Sequence, residues 1–390
     1  KINLTNLLIY FVCCFTLLLS FYFNEDGSHT PLSSDFRETW PYVLKLKENF
    51  LSDPAGYTVH YPLHYFLLSR LNFIFSEPTS IRFIMLLVSM TVPLFFFYAL
   101  KKKYETKDIN ILFSIWANDR ITTDIFILVG TYFFYKFDKK KINIKNLYIC
   151  LFFFALACYS RQFYAVYYAL FLIYIFKNCS IKNFFNLAIY SAILSLPGFY
   201  LLYKLPYLFE GLAFSGNIFN TLLGNVSSIF VYTLPIFLIN LFFQKKGFFD
   251  LKKIFIYAIT SLFVFIIAYN FHDVSTLGQN GGAFFIFSKL IFNNYYFFYF
   301  IFIINFTLIL ILFEKNQDRA IVFSFVFIFS GIIVPQSVFE PLFFLYLFLF
   351  SISKVKNIFF DNKKAALSLL AYYIFYYFIS KTDVLYKISF

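Results

Sequence analysis

The chain has 390 residues, of which 61% are hydrophobic and 25% aromatic, and its mean hydropathy is +0.72. Soluble domains are nearer half apolar and do not carry repeated apolar runs of about 20 residues, so this composition excludes a soluble globular protein. The formal charge of +13 comes from lysines that cluster between apolar runs, which indicates membrane topology rather than nucleic-acid binding.

The apolar runs are continuous and lack the alternation of a membrane β-barrel, so helices are the only way to satisfy the backbone in lipid. We therefore predict an all-α, polytopic membrane protein with about 13 transmembrane helices, forming a single domain over residues 1–390. The first run, 4–23, follows Lys1, which predicts an inner N-terminus and places residues 24–62 outside. Residues 61–75 are apolar but short, and predict a helix at the membrane interface.

The run 81–100 comes next and ends at three lysines. Two pairs of short runs follow, 109–117 with 122–137 and 147–159 with 163–176. Neither member of a pair is long enough for an ordinary lipid-facing span, because the backbone at the junction would be unsatisfied. Each pair is therefore expected to line a cavity.

The remaining runs are more regular, and each predicts one crossing: 184–203, 218–243, 254–271, 284–313, 320–334, 339–352 and 365–379. With this count, the lysine-bearing loops all fall on the inner side. The loops 24–62, 204–217, 272–283 and 335–338 then share the outer side.

The polar stretch 24–62 is the longest polar interval in the sequence. A loop of this length in a compact membrane protein is usually functional, so we predict an outer-face catalytic loop with one carboxylate as general base. A solvated connection is the alternative. The acidic residues of the stretch are Glu25, Asp26, Asp35, Glu38, Glu48 and Asp53.

Arg161 and Gln162 lie between two apolar runs. A charge at that depth usually faces a cavity or a partner, and a guanidinium suits a phosphate, whereas a structural ion pair or snorkelling is the alternative. Gln336 and Glu340 flank prolines at another outer break and either reach a ligand or cap helices. His60 and His64 are a weak metal signal, and no metal site is predicted.

Short segments in order along the chain carry a resemblance to a known family. The first is Asp35-Phe36-Arg37 with the polar residues after it, and the second is Ile81-Arg82-Phe83. Ser160-Arg161-Gln162 and Pro335-Gln336 with Glu340 complete the series. Together they resemble the dolichyl-phosphate-glucose α-1,2-glucosyltransferase family of N-glycan precursor assembly, within the wider GT-C class of polyprenyl-phosphate-sugar-dependent transferases.

The sequence departs from the family at three places. Of the family's Asp-Asn-Arg-His-Tyr loop only Asn280 is kept, its acidic pair is reduced to Ser34-Asp35, and the arginine after the last glutamate is missing. These departures favour the broad class over glucose transfer through an α-1,2 linkage.

The resemblance implies an inverting transfer of a hexose from a polyprenyl or dolichyl phosphate carrier to a glycan or lipid-linked oligosaccharide. It implies Asp35 as general base, with Glu25 and Asp26 as alternatives. The phosphate-binding residues would be Arg161, Gln162 and Lys289. The residues near the acceptor would be Glu38, His60, Asn280, Gln336 and Glu340.

The expected partners are the lipid-phosphate donor, the acceptor and the bilayer, with no nucleic acid and no cofactor. The expected membrane is that of the endoplasmic reticulum in a eukaryote and the cytoplasmic membrane in a prokaryote. A transporter or flippase for a lipid-linked glycan is an alternative reading. A polymerase or ligase of surface polysaccharide uses the same donors and also stays open.

Overall fold

The computed structural model describes residues 4–22, 35–52, 62–104, 121–135, 144–161, 164–205, 217–243, 250–273, 282–328 and 362–381, with 346–347, 351 and 358–359. Within these ranges the chain is helical and contains no strand, which confirms the predicted all-α class. The chain forms two compact units, Lys1–Leu212 and Ala213–Phe390.

Four helical stretches are long and apolar enough to cross a membrane: Thr79–Lys103, Ile181–Lys204, Ile218–Phe243 and Leu251–Phe271. Shorter apolar helices accompany them over Leu4–Leu19, Ile125–Phe134, Ile144–Ser160 and Tyr296–Leu312. The protein is therefore a helical membrane protein, while the count of about 13 crossings stays a prediction.

The helices of the first unit are α1 Leu4–Tyr22, α2 Asp35–Glu48, α3 Leu63–Leu71, α4 Pro78–Ser89, α5 Val92–Tyr104, α6 Ile121–Tyr135, α7 Ile144–Ser160, α8 Ala165–Asn178 and α9 Ile181–Lys204. A helix is present within the run 61–75 as α3, and its position at the membrane interface stays a prediction. The first run of the first short pair, 109–117, lies outside the described residues.

The polar stretch 24–62 is not a plain loop, because it contains the 14-residue helix α2. Tyr42, Val43 and Leu46 recur along one face of α2 and are buried against α3 and Ile81. The Tyr42 ring meets the Tyr65 ring of α3 edge to face, with centroids 5.6 Å apart. Charged residues precede and follow these positions in α2, so the helix has no long apolar run by which the sequence could have revealed it.

The predicted run 81–100 is built from two helices, α4 and α5, which meet at Met90 and Thr91. Pro93 has no N–H, and its ring clashes with the carbonyl four residues earlier, at Ser89, where α4 ends. Val88 O accepts the Thr91 N–H at 3.0 Å and also the Thr91 hydroxyl at 2.6 Å, so Thr91 closes the last turn of α4.

The helices of the second unit are α10 Ile218–Phe243, α11 Leu251–Phe271, α12 Gly282–Phe292, α13 Tyr296–Leu312, α14 Asn316–Ile328 and α15 Lys363–Lys381. Helix α10 is buried along most of its length and packs against the other five. Buried side-chain amides join α10 to its neighbours. Asn225 Nδ2 of α10 donates to Val326 O of α14 at 2.7 Å, and the Asn305 amide of α13 donates to Val226 O of α10.

The run 284–313 is not one continuous helix, since α12 and α13 are separate helices, while its single crossing stays a prediction. Asn293 follows α12 with a φ of 51°, a left-handed conformation that ends a helix and that asparagine tolerates. Asn294 Oδ1 then accepts the Tyr296 N–H at 3.0 Å and starts α13. Hydropathy alone does not reveal this turn, because long runs of apolar residues lie on both sides of it.

Candidate functional site

The junction between α7 and α8 places Arg161 in the interior of the first unit. The residue lies just past the end of α7 and is 4% exposed. Its N–H donates to Ala157 O at 2.9 Å, and its carbonyl accepts the Tyr164 N–H at 3.2 Å. Backbone hydrogen bonds therefore join Arg161 both to α7 and to the residue that precedes α8, as expected where the two short helices meet.

Tyr159 fastens this end of α7 to α9. Its hydroxyl donates to Leu194 O and accepts the Gly198 N–H at 3.2 Å, so it bridges two backbone groups one turn apart in α9. Pro197 lies within the same turn of α9 and supplies no N–H. Tyr159 thus supplies hydrogen bonds at a weak point of α9 and fixes two helices beside Arg161.

A cavity of about 350 Å³ lies among α7, α8 and α9. Its wall is mainly apolar and contains many small side chains: Ala155, Ala165, Ala169, Ser191, Ser195 and Gly198. Phe199 lines the cavity and is 65% exposed, so the cavity reaches the apolar surface of α9. This agrees with the expectation that the paired short helices line a cavity.

Few polar groups lie in this wall. The Ser191 hydroxyl donates to Leu187 O at 2.8 Å, within its own helix. Tyr168 approaches Ser191, but its buried hydroxyl completes no hydrogen bond of good geometry. The space therefore suits a hydrocarbon group far better than a sugar or an ion.

The end of α2 reaches the same place. Leu51 packs against Leu201 and Leu205 at the end of α9, and Tyr159 packs against that same pair. A turn holds Leu51 there, because its N–H donates to Asn49 Oδ1 at 3.0 Å. Part of the polar stretch 24–62 therefore lies over the Arg161 end of α7 and α9.

Most of the other predicted site residues cannot be located. Asp35 is the first residue of α2 and Glu38 lies in its first turn, but their side chains are outside the described part of the structure. The residues wholly outside it are Glu25, Asp26, His60, Gln162, Asn280, Gln336 and Glu340. Lys289 is an exposed residue in the last turn of α12, in the second unit. Its predicted role beside Arg161 stays a prediction.

His64, the neighbour of His60 in the sequence, is buried at the start of α3 and its ring meets the Tyr65 ring edge to face. Among the described residues, no group of three or more His, Cys, Asp or Glu side chains is arranged to hold a metal ion.

Sequence reasoning identified Arg161 and predicted that the short helices line a cavity, but it did not identify the residues of the cavity wall. The signal was present in the spacing of small residues: Ala165 and Ala169 are four apart, as are Ser191 and Ser195, and Gly198 follows at three. Such spacing puts small side chains on one face of a helix and leaves room there.

Comparison with known proteins adds no family or fold assignment. No protein-family model, no curated protein and no solved structure matches this chain.

Proposed function

We propose that the chain is an inverting glycosyltransferase that moves a hexose from a polyprenyl phosphate carrier to a glycan or lipid-linked acceptor. The observation that carries the proposal is the buried Arg161 of a membrane protein, which lies in the chain between Tyr159 and Ala165, two residues that line an apolar cavity. A lipid-phosphate donor has these two parts, an anionic phosphate and a hydrocarbon chain. The motif resemblance in the sequence supplies the reaction type.

Arg161 is the proposed phosphate ligand. A guanidinium gives two parallel hydrogen bonds to phosphate oxygens, and each charge-assisted bond is stronger than a neutral one. Because Arg161 is 4% exposed, water competes little for the phosphate. The cavity among α7, α8 and α9 would take the part of the chain next to the phosphate.

The proposed chemistry is a single displacement. An acceptor hydroxyl attacks the anomeric carbon, and Asp35 takes its proton. The bond between that carbon and the phosphate oxygen breaks, and the lipid phosphate leaves with the bonding electrons. A carboxylate base is sufficient because the proton is released as an oxocarbenium-like state develops. Arg161 stabilises the charge that grows on the phosphate.

The binding half of this proposal is tested with the purified protein in nanodiscs and a polyprenyl-phosphate glucose. Arg161→Ala should weaken donor binding by about 1.5–3 kcal/mol, and Arg161→Lys should weaken it less, because charge remains while the fork is lost. A folded Arg161→Ala protein with normal donor affinity would show that the residue is structural.

The cavity has its own variant pair. Ala169→Phe fills the space among the three helices and should weaken donor binding. Ala192→Phe adds the same ring at an exposed alanine of α9 that does not line the cavity, and should bind the donor normally. Equal affinities for the two variants would exclude the cavity as the site of the chain.

A further inference from the structure

A cluster of cations and aromatic rings lies where α2 meets the end of α3. The Lys47 ammonium is 4.6 Å from the centroid of the Phe73 ring and donates to Asn72 Oδ1 at 3.1 Å. The Arg70 guanidinium is 4.5 Å from the Phe66 ring centroid and 5.4 Å from that of Phe73. We call Lys47, Arg70, Phe73 and Ile74 the basic–aromatic patch.

The patch presents large apolar side chains to the outside. Phe73 is 60% exposed and Ile74 is 73% exposed, next to the exposed Arg70. The turn that carries them is well held: Asn72 is 7% exposed, and its amide donates to Phe75 O at 3.2 Å and Ser76 O at 3.3 Å. An ordered turn with an apolar tip is suited to insertion into a bilayer, because little conformational entropy is lost on binding.

Its position along the chain puts the patch at the membrane boundary. The membrane-crossing stretch begins at Thr79, five residues after Ile74. The start of that stretch also meets the end of α1, where the Arg82 guanidinium lies 5.0 Å from the Phe21 ring centroid. The exposed Phe73 ring therefore lies within a few residues of the hydrocarbon edge, the depth at which aromatic side chains are enriched.

We propose that the basic–aromatic patch binds the surface of an anionic bilayer. Phe73 and Ile74 enter the upper acyl region, and Lys47 and Arg70 contact phospholipid phosphates. Long basic side chains beside an inserted apolar group suit this depth, because their stems stay apolar while their charges reach the headgroups. Lys45 of α2 adds a further positive charge near the patch. The acidic residues nearest to the patch along the chain are Glu48 of α2 and Glu77, which precedes α4.

This surface is separate from the proposed donor site, so an experiment can contradict either proposal without contradicting the other. Its role would be to hold α2 and α3 at a fixed depth in the outer leaflet. Because α3 packs against α7, that depth is transmitted to the helix that carries Arg161.

Insertion is tested with Ile74→Trp in nanodiscs made with lipids brominated near the headgroup end of the chain. The parent protein, which has two tryptophans, gives the background. The variant should show blue-shifted added fluorescence that the brominated lipids quench. Added fluorescence at the wavelength of a water-exposed indole, without quenching, would overturn the proposal.

The headgroup contact is tested by retention of phosphatidylglycerol in mixed phosphatidylcholine nanodiscs. Lys47→Gln with Arg70→Gln should lower retention about 30-fold, on the basis of about 1 kcal/mol per basic residue near the surface. Arg70→Lys alone, which keeps the charge, should retain the lipid. The matched control is Lys363→Gln with Lys364→Gln, two exposed lysines at the start of α15.

Several outcomes would contradict the proposal. An equal loss in the control pair would show non-specific attraction, and unchanged retention in the Lys47 and Arg70 pair would exclude the headgroup contact. A salt-insensitive loss would also count against it, since exposed charge contacts are screened. Dimers held together through the patch would assign it to a second copy of the chain.

Discussion

Arg161 and Tyr159 show how a few side chains define a site that a hydrophobic sequence largely conceals. An arginine inside a membrane protein stands out, because its charge is costly at that depth, and it was found from the sequence. The Tyr159 hydroxyl was not found, because its bridge to Leu194 O and Gly198 N exists only after α7 and α9 have met. The acceptor side of the site is predicted from the motif resemblance alone, so the roles of Asp35 and Glu38 stay predictions.

At this scale we predict the effect of Tyr159→Phe. The change removes the hydroxyl and its two hydrogen bonds to the backbone of α9, and it keeps the ring that packs with Leu201 and Leu205. The free energy of unfolding should fall by about 1–3 kcal/mol, since two hydrogen bonds of about 0.5–1.5 kcal/mol each are lost. Thermal unfolding in detergent measures this, with Tyr200→Phe at an exposed position of α9 as the control. A Tyr159→Phe protein as stable as the control would show that the bridge adds nothing to stability.

Among the elements, α10 was predicted with both ends correct, because its run is long, mainly apolar and free of charged residues. The apolar runs 81–100 and 284–313 each predict one helix, but Pro93 divides the first and Asn293 divides the second. Helix α2 was missed for the opposite reason, since its buried residues are scattered among charges. Apolar length predicts membrane helices well, but local backbone chemistry decides where they break.

The contact between α6 and α7 gives a prediction for these elements. A Cβ added at Gly130 would lie 2.9 Å from Phe154 Cδ1 and 3.2 Å from Cys150 O. Gly130→Ala should therefore destabilise the protein by about 1–3 kcal/mol, the usual cost of overpacking. Phe154→Leu in the same chain should recover part of that loss. Ile149→Ala on the exposed face of α7 is the control for thermal unfolding, and equal stability of it and Gly130→Ala would contradict close packing here.

For the whole molecule, the predicted topology is the part that stays untested. Lysine-bearing loops were assigned to the inside, which puts residue 252 inside and residue 273 outside, at the two ends of α11. An impermeant maleimide applied from outside should label Asp273→Cys and spare Lys252→Cys until the membrane is opened. The parent protein gives the labelling background of its five native thiols, of which Cys13 and Cys150 are buried and Cys179 has a pKa raised by burial. Labelling of Lys252→Cys from outside would show that the predicted topology is inverted, and the outer-face location of the proposed site would then be wrong.

The central claim is that this membrane protein transfers a sugar from a lipid phosphate. The most direct measurement supplies purified protein in nanodiscs with polyprenyl-phosphate glucose and a lipid-linked glycan, and follows free polyprenyl phosphate, the extended glycan and its anomeric configuration. We predict transfer with inversion, and a rate lowered about 10²–10⁴-fold by Asp35→Asn, the usual cost of losing a general base, with donor affinity kept. Loss of transfer in Glu25→Gln or Asp26→Asn, with Asp35→Asn unaffected, would move the base. Donor binding without any transfer by the wild-type protein, together with movement of lipid-linked glycan across vesicles by all three carboxylate variants, would contradict the transferase and favour a flippase.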